Sequence, residues 1–79
     1  MRASEQVGKY MKADRVDTPN KTCIWLIRSI SSDDDLGLIH WYGPWRCYVF
    51  QPAPDTEFNS SCMIALAQFC DKHKDTRND

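Results

Sequence analysis

From Lys21 onward the chain alternates short apolar runs with polar breaks. "TCIWLIRSI" is rich in β-branched and aromatic residues and has the length of a strand. "SSDDD" interrupts it with turn-forming residues. "LGLIHWY" reads as a second strand, Gly43-Pro44 as a tight turn, and "WRCYVFQP" as a third strand that Pro52 and Pro54 stop. The period then changes. Cys62, Leu66, Phe69, Cys70 and His73 recur at helical spacing and form one apolar face. Asn59, Ser60 or Ser61 can cap the helix start, and Lys72 and Lys74 suit the negative pole of its dipole. The pattern predicts an α+β fold: a three-stranded antiparallel β-meander with a C-terminal α-helix packed on one face.

The segments outside this pattern are polar. Residues 1–20 read as a polar N-terminal arm, because Gly8 weakens a short helix over Ser4 to Ala13 and Pro19-Asn20 closes the segment. Residues 21–74 form the single β-β-β-α domain. Residues 75–79 are expected to be a frayed tail.

Alternation sorts the strand residues onto two faces. A two-residue turn at Gly43-Pro44 would set Tyr42 against Trp45, Trp41 against Arg46, His40 against Cys47 and Ile39 against Tyr48. A five-residue loop at Ser31 to Asp35 would set Ile27 against Ile39 and Trp25 against Trp41. One face then carries Trp25, Ile27, Ile39, Trp41, Tyr48 and Phe50, with Arg46 at its rim. This bulkier, less polar set is the expected seat of the helix. Gly37 leaves room for Phe50, and Trp41 can stack on Arg46. The other face keeps Ile24, Leu26, Leu38, Cys47 and Val49 together with Arg28, His40, Tyr42 and Trp45. An apolar sheet face without a helix calls for a partner: the arm, a second copy in a homodimer, or a foreign molecule. A one-residue slip of register would exchange the two faces.

Composition narrows the function classes. The 79 residues make one domain of net charge −1. None of residues 1–20, 21–70 and 71–79 is strongly basic, so duplex binding through phosphate neutralisation has weak support. No apolar run reaches membrane-spanning length, so no membrane partner is expected. The N-terminus lacks the apolar core of a signal peptide, and the four cysteines show neither a Cys-x-x-Cys pair nor zinc spacing with His40 or His73. The expectation is a cytoplasmic protein with reduced, packed thiols and with no metal and no cofactor.

Candidate chemistry gathers around the second face. His40, Tyr42, Trp45 and Arg46 near one turn resemble a stacking platform for a base, although aromatic packing beside a turn is the simpler account. Asp33, Asp34 and Asp35 offer carboxylate oxygens but no calcium-loop spacing. A solvated acidic turn explains them, and as a small acidic knob they could dock on a basic groove. His40 and Cys47 would be cross-strand neighbours, yet no third group orients the imidazole. No catalytic residue is therefore assigned, and the chain is read as a non-enzyme. The candidate partner-binding residues are Arg28, His40, Tyr42, Trp45, Arg46, Asp33, Asp34 and Asp35.

The run "LGLIHWYGPWRCYVFQP", followed by Thr56 and "FNSSC", resembles a group of small proteins encoded by phages and prophages. They share the pattern L-G-x-I-x-W-Y-x-x-W-R-x-Y-x-F-x-P, then T, then F-N-x-x-C. The match covers residues 36–73, and Met63-Ile64-Ala65 departs from the more acidic helix start expected there. The resemblance implies a setting, the host bacterial cytoplasm and a phage accessory gene, rather than a mechanism. Small phage proteins without catalytic motifs often act by occupying a host protein. The leading expectation is thus a non-enzymatic inhibitor of a bacterial defence complex, anti-CRISPR-like, that works by protein–protein binding. The alternative is a small nucleotide or single-stranded nucleic-acid binding module that uses the aromatic/Arg turn.

Overall fold

The computed structural model describes residues 4–77 and is α+β. Five strands form one antiparallel sheet in the order β1-β2-β3-β4-β5. They are β1 (Ser4–Val7), β2 (Met11–Val16), β3 (Ile24–Ser29), β4 (Asp35–Tyr42) and β5 (Cys47–Pro52), followed by helix α1 (Ser60–Lys72). No helix among the described residues is long and apolar enough to cross a membrane.

The expected meander of three strands is therefore a meander of five. The polar N-terminal segment supplies the two additional strands, as a hairpin that extends the sheet beyond β3. Its polarity conceals a period of two. Val7, Met11 and Ala13 point into the core and are at most 2% exposed, while Gln6, Lys12 and Asp14 alternate with them. Gly8 is not a helix breaker here but the turn residue. It adopts φ +67°, and a Cβ on it would lie 2.9 Å from the Ala65 side chain, so glycine is needed both for the turn and for the approach of α1.

Both pairings inside the predicted meander differ by two residues from those read off the sequence. Tyr42 faces Cys47, Trp41 faces Tyr48, His40 faces Val49 and Ile39 faces Phe50. The cause is a four-residue connection. Gly43–Trp45 forms a 3₁₀ turn with the pyrrolidine of Pro44 in its first half, and Arg46 closes it at φ 52° with its N–H on the Gly43 carbonyl at 3.1 Å. On the other side Trp25 faces Ile39 and Ile27 faces Gly37, with an irregularity between Ile27 and Arg28. Because each shift is even, the side chains that remain in strands keep their predicted faces, while Trp45 and Arg46 leave the ladder for the turn.

The helix sits on the expected face. Asn59 caps it, its Oδ1 accepting from the Cys62 N–H at 2.9 Å. Leu66 and Phe69 are buried against Trp25, Ile27, Ile39 and Tyr48, with Cys62, Ala65 and Cys70 packed beside them. Trp25 makes edge-to-face pairs with Tyr48 and Phe69, ring centroids 5.2 and 5.1 Å apart. Both edge strands, β1 and β5, approach α1. The ring of Phe50 lies over Gly37, where a Cβ would stand 2.8 Å from it.

The end of the chain is tied down through Thr76 and Arg77. Tyr48 Oη donates to the Thr76 carbonyl at 2.8 Å, and the Arg77 guanidinium lies 4.5 Å from the Trp41 ring centroid. Arg77 thus takes the stacking position expected for Arg46, which is exposed in the turn. Of the expected frayed tail, residues 78–79 lie outside the described residues.

Candidate functional site

On the face away from the helix the candidate residues divide into two groups. Arg28, Asp33 and Asp35 lie at one end of β4, and His40, Tyr42, Trp45 and Arg46 at the other. Asp35 and Tyr42 are seven residue steps apart on one strand, roughly 23 Å. The eight residues thus do not form one patch.

The charged end is closed on itself. Arg28 faces Asp35 at 3.4 Å, Asp33 at 3.6 Å and Asp14 at 3.9 Å, and Lys12 reaches Asp33 at 2.8 Å. The hydrogen bond from Lys12, its charge and that of Arg28 hold the Asp33 carboxyl below the usual carboxylate range. The same bond raises the Lys12 ammonium above its ordinary value. Asp34 instead accepts from the Ser32 hydroxyl at 2.9 Å. Asp33 and Asp35 thus share Arg28, while Asp34 turns away to Ser32. Among the described residues no group of His, Cys, Asp and Glu is placed to hold a metal ion. Lys12 and Asp14, which complete this network, went unnoticed in the sequence because their segment did not read as a strand. The charge of Lys12 next to the alternating Val7, Met11 and Ala13 was the available signal.

The aromatic end is open. Trp45 is 71% exposed, the highest value among the large apolar side chains, and packs edge-to-face on Tyr42 at 5.0 Å. His40, Tyr42, Trp45, Val49, Gln51 and Pro52 border a concavity of about 380 Å³ with Phe50 at its side. The 3₁₀ turn carries Trp45, and strands β4 and β5 carry the rest. Two residues of extra loop lift Trp45 out of the strand ladder and onto this rim. His40 Nδ1 stands 3.1 Å from the Trp41 carbonyl, so in the neutral ring this nitrogen carries the proton. The site holds no charged side chain apart from the neighbouring Arg46. The His40–Cys47 pair suggested by the sequence is not formed, because His40 faces Val49. Val49 shares the predicted face with His40 but becomes its direct neighbour only in the observed register, and Gln51 and Pro52 are additions of the structure.

A second concavity lies on the helix side of β5. Tyr48, Phe50, Met63, Leu66, Ala67 and Cys70 border about 350 Å³, together with Val49 and Asp71. Burial, with Asp71 and Cys47 nearby, pushes the Cys70 thiol up to about 11, so it is neutral and unreactive there. Neither concavity brings together a nucleophile, a base and an orienting group. What the arrangement offers is apolar and aromatic contact surface with few charges. Comparison of the chain with protein-family models, with curated proteins and with solved structures found no match.

Proposed function

We propose that this chain is a binding protein, not an enzyme, and that it engages a partner protein through the aromatic end of its outer sheet face. The observation that carries this reading is Trp45: a 71% exposed indole packed edge-to-face on Tyr42 at the rim of an apolar concavity. Trp and Tyr anchors of this kind dominate the energetics of protein interfaces. The ion-paired Arg28 network supplies a polar rim at the far end of the same face. The target class, a bacterial defence complex, rests on the resemblance of residues 36–73 to phage-encoded proteins.

The test is a tagged capture from nuclease-treated bacterial lysate, with the wild type and Trp45→Ala compared side by side. One host protein held at near-equal stoichiometry is expected, with affinity reduced about 30-fold or more in the variant, the scale of a 2 kcal/mol hot spot. Thermal melts of the two proteins should coincide, since the indole is exposed. Equal capture by both proteins would reject the site. Recovery of oligonucleotides without nuclease, and of nothing with it, would favour nucleic-acid binding by the same turn.

A further inference from the structure

Strand β5 is an edge of the sheet, and among the described residues no other segment hydrogen-bonds to its outer side. The opposite edge, β1, is four residues long and is anchored to the helix through Glu5, which binds Lys72 at 2.7 Å and His73 at 3.0 Å. By contrast β5 runs six residues, "CYVFQP", with no charge, and its only blunting device is Pro52 at the end. Folded chains protect such an edge or use it.

The two concavities described above flank this one edge. Val49 and Phe50 border both of them. A strand laid along β5 would alternate its side chains between the two sides. One set would enter the concavity beside His40, Tyr42 and Trp45, and the other the concavity beside Met63, Ala67 and Cys70. Met63, a large apolar side chain, is 56% exposed. The only charge bordering either concavity is Asp71, at the end near Tyr48.

We infer that β5 binds an extended segment of a partner protein by strand addition, with apolar residues on both faces of that segment and a basic residue where it passes Asp71. Main-chain hydrogen bonds supply affinity in such a mode and the alternating pockets supply specificity. The inference rests on the protein-binding reading above and names its geometry. Pairing of β5 with the β5 edge of a second copy is the competing occupant, and the solution mass decides between the two.

The experiment is selection of randomised ten-residue peptides against the purified full chain, followed by titration of the selected synthetic peptide and amide exchange by NMR. The expected result is a consensus with apolar residues at alternating positions and Lys or Arg at one end. Outward amides of β5 should gain protection on binding. Ala67→Glu, an exposed helical position, should weaken the peptide tenfold or more while leaving the fold intact, and Asp71→Asn should remove the basic preference. Peptides that depend on Trp45 but leave the β5 amides unprotected would overturn strand addition while sparing the aromatic site. Selection of no peptide, or a solution mass of twice 9.2 kDa with the β5 amides already protected, would overturn it as well.

Discussion

Tyr48 shows how much one side chain can hold in a fold this small. Its ring is 3% exposed, between Trp25 and Trp41, and its hydroxyl serves two distant segments. It accepts from the buried Cys23 N–H at 3.0 Å and donates to the Thr76 carbonyl at 2.8 Å. Tyr48→Phe keeps the ring and strips both bonds of the hydroxyl. A loss of about 1–3 kcal/mol is expected in chemical denaturation, and an unchanged midpoint would show that the hydroxyl is dispensable. At the same scale Cys70 gives a chemical test. Burial, together with Asp71 and Cys47, raises its thiol to about 11. Alkylation at pH 8 should be roughly two orders of magnitude slower than for a free thiol, because only the thiolate reacts. Site-resolved mass spectrometry after iodoacetamide reads this directly, and labelling at the free-thiol rate would contradict it. Both residues were visible in the sequence as strand and helix positions. Their roles were not, because each depends on segments more than twenty residues away.

Between elements, the contact that stands out is the clamp of β1 on the end of α1. Glu5 takes the Lys72 ammonium on one oxygen and the His73 ring on the other, and His73 in turn meets Thr76 Oγ1 at 3.0 Å and stacks near Trp25 and Phe69. Burial raises the Glu5 carboxyl, but the hydrogen bonds and charges of Lys72 and His73 outweigh it, so the folded value lies below the ordinary one. A carboxyl lowered on folding stabilises above its unfolded pKa of about 4.3, and the contribution disappears as pH falls through the folded value. The melting temperature should therefore fall below about pH 5, and Glu5→Gln should flatten that fall. An identical acid profile in the variant would deny the clamp its role. The helix itself was legible from its period and its cap at Asn59. The clamp was not, because Glu5 sat in a segment whose alternation of only three apolar residues, Val7, Met11 and Ala13, is a weak signal amid seven charges.

For the whole molecule, the decisive feature is that the N-terminal hairpin belongs to the core. Val7, Met11 and Ala13 close the far side of the sheet, and β2 holds β3 along its full length. Burial of Val7 and Met11 alone contributes roughly 3–6 kcal/mol, against a total of about 4–12 kcal/mol for a domain of this length. A chain that begins at Lys21 should thus lose cooperative unfolding, seen as a broad, weak calorimetric transition. A sharp melt in that truncation would return residues 1–20 to the status of an accessory arm.

What the amino-acid order determined by itself was the identity of β3, β4, β5 and α1, and the face on which each strand residue lies. Period-two alternation survives any even shift, so Trp25, Ile27, Ile39, Tyr48 and Phe50 were assigned to the core although both predicted registers were off by two. Only the tertiary structure decided which residue meets which. That choice belongs to loop geometry, the 3₁₀ turn at Gly43–Trp45 and the irregularity after Ile27, and to contacts that close over long stretches of chain. The same long-range closure recruits residues 4–16 into the sheet, replaces Arg46 by Arg77 over Trp41, and brings two concavities to either side of one open strand edge. Local pattern encodes burial because the hydrophobic effect acts on each side chain separately. Pairing is collective, and no single segment contains it.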